Sequence, residues 1–336
     1  MKGIKKKESF MAEILLFACE KVGAKLLMGP ENGANGQIMF LNKDKRVSFF
    51  NCCFDINQYG SSLIARNKGL TRIILEKEKV KFAKGRYFSL NSDEYKDFTL
   101  NKLNKLIIDY TGKINFPIML KGADLHRGTC VHFITNKKEL KDTLPLIWDQ
   151  TKHLVVEKYI PFKSYRILVF DKKIIAVYEK TPLSIVGDGA SAIKELIKNQ
   201  IKDKRIDISK KSKDIGKIMY EYLNSVGLSD KSVIEKNKKI ALLNTCNIST
   251  GGKAIDVTSK INKDFSVYVN KIMKTLNLRL AGIDIVSRDI GLSSEKAYLL
   301  EVNSSPSLET YAELGKSQRG VIERLIEDII KKMSKI

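Results

Sequence analysis

Apolar residues in the first sixty positions fall in short runs broken by polar ones: AEILLFACEKVG, then GQIMFLN, then RVSFFNCCF. One run of helical length and two of strand length predict a helix and then a hairpin over 11–60. In SSLIARNKGLTRIILEKE, residues 61–78, Leu63, Ile64, Leu70, Ile74 and Leu75 recur at helical spacing. From 116 to 180 the pattern turns to strands: FPIMLKG, CVHFIT, HLVVEKYI, YRILVF and KIIAVYEK. Between the second and third of these, NKKELKDTLPLIWDQ predicts a helix with Asn136 as its N-cap. A long polar insertion covers 187–240 and includes a helical stretch at SAIKELIKNQ. Strands return in NISTGGKAIDVT, LAGIDIVSRD and AYLLEVN, and a helix over 317–334 closes the chain. The sum is a mixed α/β (α+β) protein of mostly short antiparallel strands, without the strand–helix alternation of a doubly wound sheet.

Composition narrows this picture without redirecting it. The chain has 336 residues, 43% of them hydrophobic and 29% charged, which suits one enzyme of two or three subdomains with a real core. No apolar run reaches membrane-spanning length. The basic start MKGIKKKESFM is followed by neither a long apolar core nor a small-residue cleavage site. The expectation is a soluble, cytoplasmic protein with no membrane partner. Cys19, Cys52, Cys53, Cys130 and Cys246 form no CxxC pair, and His126, His132 and His153 form no cluster, which argues against disulfides and zinc. The formal charge of +22 is spread along the chain, and scattered lysine reads first as solvated surface.

LAGIDIVSRD and AYLLEVN are joined by a short polar connection and are expected to pair as a hairpin. Glu301 and Asn303, two apart, then share one face of a strand, and Asp284 meets them at one end of the pair. Carboxylate and carboxamide oxygens without histidine or thiolate suit Mg²⁺; three unrelated polar residues at strand ends are the alternative. Lys121 ends a strand before a loop containing Gly122 and Gly128, which reads as a phosphate-facing loop or a plain hairpin. Glu157 and Lys158 lead into a turn at Pro161 and a strand with Arg166, a segment that could face a nucleobase edge or simply be a packed hairpin. NISTGGK, with Asn247, Ser249, Gly251, Gly252 and Lys253, is either a turn or an anion-binding loop.

In this order the segments resemble the ATP-grasp fold, and more narrowly the ATP-grasp ligase module of bifunctional glutathione synthetases and cyanophycin synthetase. The resemblance runs from about Gly36 to the C-terminus and is most specific in SIVGDGASAIKELI, NISTGGKAIDVT and LEVNSSPSL. It implies two α/β subdomains gripping ATP between them. The blocks would be a short N-terminal region over 1–60, a helical connection over 61–115, a small lid subdomain over 116–182, and a large metal-carrying subdomain over 183–336. Lys68 and Lys121 would hold ATP phosphates. Glu157, Lys158, Tyr159 and Ile160 would line the adenine pocket, and Gly128 and Ser164 would also face the nucleotide. Arg166, Lys180 and Lys253 would act at the reacting phosphoryl or acyl group. Asp284, Glu301 and Asn303 would bind two Mg²⁺ ions, for which Mn²⁺ could substitute. Asn247, Ser249, Gly251, Gly252 and Ser305 would border the substrate.

Three departures stand out. Cys130 occupies a phosphate-loop position that is usually glycine, Ser164 one that is usually an acid on the ribose, and Lys121-Gly122 replaces the common Lys-Pro. The resemblance implies a carboxylate–amine ligase that forms an acyl phosphate and releases ADP and phosphate. Its substrate would be an amino acid or peptide, acidic if the charge serves attraction, and the subunits could form a homo-oligomer. Asp284→Asn or Glu301→Gln is expected to abolish amine-dependent ADP release while leaving folding nearly normal. The rivals are a phosphotransferase on the same nucleotide site and a basic protein binding nucleic acid or another polyanion, which has no motif in its favour.

Overall fold

The computed structural model describes residues 10–29, 35–41, 44–125, 130–202, 215–244, 246 and 251–335. The chain opens with helix α1, Phe10–Lys21, then strands β1, Ala24–Met28, β2, Asn35–Phe40, β3, Lys45–Phe50, and β4, Cys53–Phe54. These strands form one antiparallel sheet in sequence order, a four-stranded meander where two strands were expected. Helices α2, Tyr59–Arg66, and α3, Lys68–Lys77, split the expected helix at Asn67. The Asn67 carboxamide accepts from the Gly69 and Leu70 N–H groups, so the residue ends one helix and caps the next.

Strand β5, Gly85–Ser89, and helix α4, Leu100–Ile114, follow, then β6, Ile118–Gly122, β7, Val131–Ile134, α5, Lys137–Trp148, and β8, His153–Lys158. As expected, Asn136 caps α5 and accepts from the Glu139 N–H at 2.9 Å. Strands β9, Lys163–Phe170, and β10, Lys173–Thr181, precede β11, Ser184–Val186, helices α6, Ile193–Lys202, and α7, Ile215–Ser225, and β12, Lys239–Ala241. The chain ends with β13, Lys253–Asp256, α8, Phe265–Thr275, β14, Leu280–Ser287, β15, Tyr298–Asn303, α9, Glu309–Ala312, and α10, Lys316–Met333.

Two compact units emerge, and both are discontinuous. The first comprises residues 1–81, 165–178 and 256–336, and the second 82–164 and 179–255. They do not follow the linear blocks 1–60, 61–115, 116–182 and 183–336, because α2 and α3 of the N-terminal half pack on β15 near the C-terminus. Strands β13-β10-β9-β14-β15 form a five-stranded sheet. Every residue of β14 is buried, so this strand reads as a nearly continuous apolar run.

In the second unit, β5-β8-β6-β7 form an antiparallel sheet on which α4 and α5 bury Leu103, Ile107, Leu140, Leu144 and Trp148. The polar insertion has an apolar centre of its own, with Ile185, Ile193, Ile197, Met219, Leu223 and Leu242. Its GDG sequence forms a turn ahead of α6. Asp188 accepts from the Ala190 and Ser191 N–H groups and the Ser191 hydroxyl, and these bonds hold its carboxyl down at about 2. No helix among the described residues is long and apolar enough to cross a membrane.

Candidate active site

In the first unit the hairpin β14–β15 sets Asp284 directly opposite Glu301, and Gly282 opposite Asn303. The two carboxylates and the carboxamide therefore come together, as the alternation of the strands requires. The Asn303 amide donates to Glu301 Oε1 at 3.1 Å. A carboxylate on an otherwise apolar strand needs a partner, and β9 supplies one. Arg166 closes a two-pronged ion pair on Asp284, Nε to Oδ1 at 2.6 Å and Nη2 to Oδ2 at 2.7 Å. Its Nη2 also lies 3.8 Å from Glu301 Oε1, and Lys68 Nζ approaches Glu301 Oε2 at 3.5 Å. Burial alone would lower the Arg166 guanidinium, but Asp284 and Glu301 override it and hold it above its ordinary value.

The group is graded in access. The Asp284 side chain is 3% exposed, Arg166 15% and Glu301 29%, so one oxygen-rich edge faces outward. Its donor set is two carboxylates and a carboxamide, all hard oxygen ligands, and this chemistry fits Mg²⁺. Among the described residues no three His, Cys, Asp or Glu side chains gather as a metal cluster; the third candidate ligand here is an amide. Ser305 is exposed just beyond β15.

In the second unit, β6 and β8 bring Lys121 and Glu157 into a buried ion pair with each other. The Lys158 amine donates to the Asn115 and Phe116 carbonyls, so this side chain props the turn before β6. The Lys158 and Tyr159 N–H groups donate to the Lys84 and Pro117 carbonyls, whereas the Ile160 N–H has no partner among the described residues. The Tyr159 ring meets Phe133 edge-on at 4.9 Å, and Phe133 meets Tyr222 at 6.4 Å. Burial raises the Tyr159 and Tyr222 phenols, and raises the Cys246 thiol against the pull of nearby Lys180.

Sequence reasoning missed Phe133, Tyr222 and Cys246. Nothing local marks them, since they stand on separate elements. Ser164 and Lys180 are buried, Lys253 is exposed at the start of β13, and Gly251 adopts the left-handed φ of 95° that favours glycine. Gly128, Asn247 and Ser249 lie outside the described residues.

No protein-family model matches the chain. It is 27% identical over 261 residues to the glutathione biosynthesis bifunctional protein of Clostridium perfringens (strain 13 / Type A), covering 76% of this chain and 32% of that one. To the cyanophycin synthetase of Trichormus variabilis (strain ATCC 29413 / PCC 7937) it is 30% identical over 211 residues, covering 61% of this chain and 23% of that one. The bifunctional glutathione synthetase of Pasteurella multocida superposes with a TM-score of 0.57 at 20% identity, over 97% of this chain and 43% of that one. The chain has the ATP-grasp fold. It spans under a third of the length of the two curated relatives. The ATP-grasp fold accounts for the mixed α/β class and the several antiparallel sheets.

Proposed function

We propose that this ATP-grasp chain joins a carboxylate to an amine at the expense of ATP, on an amino acid or peptide. The observation that carries the reading is the meeting of Asp284, Glu301 and Asn303 on paired strands, with Arg166 and Lys68 beside them. Asp284, Glu301 and Asn303 would hold the divalent ion, which when bound neutralises charge on phosphate oxygens. Lys68 and Arg166, already next to these carboxylates, would turn part of their charge toward the transferring phosphoryl group. In the second unit Lys121 would serve the phosphates. The Ile160 N–H and the Tyr159–Phe133–Tyr222 rings would take the edge and face of a nucleobase.

A carboxylate is too poor an electrophile for an amine, and phosphorylation changes that. A carboxylate oxygen bonds to the γ-phosphorus as the β–γ bridging bond breaks and ADP leaves. The amine nitrogen then bonds to the acyl carbon, the carbon–oxygen bond to phosphate breaks, and nitrogen gives up a proton. Amide, ADP and inorganic phosphate are the products, with a cationic side chain facing the oxyanion between the two bonds.

The test is a panel of amino acids and short acidic peptides incubated with Mg-ATP. ADP and inorganic phosphate should appear in equal amounts, dependent on the amine, with a condensed product by mass spectrometry. ADP without free phosphate would instead indicate a phosphotransferase, and Mg-ATP-independent, salt-sensitive polyanion binding without turnover would indicate a binding protein.

A further inference from the structure

The β14–β15 ladder stops short of the loop that continues from its metal-facing end. Gly282 pairs with Asn303, and the antiparallel register would next bring Ala281 to Ser304. At that point a side chain from far away in sequence takes over. Asn57 Nδ2 donates to the Leu280 carbonyl at 2.8 Å and to the Ser304 carbonyl at 3.0 Å. Asn57 Oδ1 accepts from the Arg279 N–H at 2.7 Å and from the Leu280 N–H at 3.0 Å. All four hydrogen-bonding positions of the carboxamide are used, and every partner is backbone.

We propose that Asn57 is a positioning residue for the metal-binding end of this hairpin. Its amide acts as a substitute rung where the strand ladder ends, and it fixes the direction of the chain leaving Asn303. The proposal rests on the ligase reading, since Asn303 matters only if it is a ligand. Three further contacts point the same way. A Cβ on Gly282 would come within 2.9 Å of Pro306 Cβ and 3.3 Å of Arg166 Cδ, so the loop is packed against the strand that carries Asp284. Ser304 is buried, and its hydroxyl reaches the Ser62 carbonyl of α2. The Cys52 thiol lies against the Leu308 backbone. The segment 52–62 thus holds the loop at several points, and Asn57 ties it to β14.

Substitution separates these roles. Asn57→Asp keeps an oxygen for the Arg279 and Leu280 N–H groups but turns a second oxygen toward the Leu280 and Ser304 carbonyls. The rung to Ser304 is then lost, while the shape of the side chain is preserved. Asn57→Ser is a milder companion should Asn57→Asp not fold, and Leu325→Ala in α10 is a control for lowered stability alone. Mn²⁺ binding to the full chain with ADP, followed by electron paramagnetic resonance, reads the metal site without turnover. Outer-sphere partners of metal ligands are worth roughly 10–100-fold in affinity. Asn57→Asp should weaken Mn²⁺ binding by about tenfold and raise the metal requirement of turnover, with the KM for the amine unchanged. Leu325→Ala should melt lower yet bind Mn²⁺ normally. Wild-type protein that binds Mn²⁺, beside an Asn57→Asp or Asn57→Ser variant that binds it equally, overturns the positioning role alone. Wild-type protein that binds no Mn²⁺ and forms no amide overturns the ligase reading and this inference with it.

Discussion

Each unit of the molecule buries a cation against a carboxylate, and the two arrangements differ in what surrounds the pair. In the second unit Lys121 and Glu157 face one another with side chains 10% and 4% exposed, a couple closed off from solvent. In the first, Arg166 and Asp284 are joined by Glu301, Lys68 and Asn303, and the group opens outward through Glu301. Removing both partners of a closed couple is close to neutral for stability, whereas removing one leaves a buried charge. A branched group has no such clean deletion, because each member answers to two others. The first arrangement is thus suited to exchange ligands at its open edge while its buried pair keeps it in register.

The largest effect should come from the open edge. Glu301→Gln removes one of two candidate metal carboxylates while Arg166 keeps its fork on Asp284. Amine-dependent ADP release should fall about a thousandfold, the several kcal/mol that metal-supplied charge is worth. The thermal midpoint should stay within a few degrees of the parent. Turnover at a tenth of the parental rate or better would remove Glu301 from the metal set.

Asp284→Asn should behave differently, and here the structure revises the sequence expectation of nearly normal folding. Both Asp284 oxygens are held by the Arg166 fork in a buried strand, so neutralising them strands the guanidinium. A loss of about 3 kcal/mol in urea unfolding should accompany the loss of activity. Equal stability of Asp284→Asn and Glu301→Gln would show that the two carboxylates are not graded as their burial implies.

These contrasts also show what the sequence could and could not convey. The meeting of Asp284 with Glu301 and Asn303 was legible, because a hairpin with period-two alternation leaves few alternatives. The cap at Asn136 and the long final helix were legible for the same local reason. The Arg166 fork on Asp284 was not: it spans 118 positions, and no periodicity connects β9 to β14. The same holds for Asn57, whose FDINQYG surroundings look like an ordinary turn. The GDG sequence is local in another way, since Asp188 closes a turn on the Ala190 and Ser191 N–H groups ahead of α6. The four-stranded meander was reduced to a hairpin because its strands are short and the breaks between them are small.

In the second unit, Lys121→Met or Glu157→Gln alone should cost about 3 kcal/mol by leaving one buried charge. The double variant Lys121→Met/Glu157→Leu should recover most of that stability without recovering nucleotide affinity in calorimetry. The corresponding double change at Arg166 and Asp284 should recover less, because Glu301 loses its guanidinium neighbour as well. If both doubles recover equally, the first group is two independent pairs and not a branched one.

The smallest expected effect lies in the second unit, away from the residues proposed to act. Asn136 Oδ1 accepts from the first turn of α5, and the Glu139 carboxylate reaches back to the Thr135 N–H and hydroxyl at 2.7 and 2.8 Å. Asn136→Ala should therefore cost about 1 kcal/mol, the usual worth of an N-cap. Because α5 packs on the sheet that carries Lys121 and Glu157, the same variant asks whether that couple is positioned by its helix or by its strands. Paired strands with a direct register between Met119 and Glu157 need no help from a helix end. ADP affinity should then remain at the parental value while the denaturation midpoint drops. A matching fall in ADP affinity would make α5 part of the nucleotide site and not only of its support.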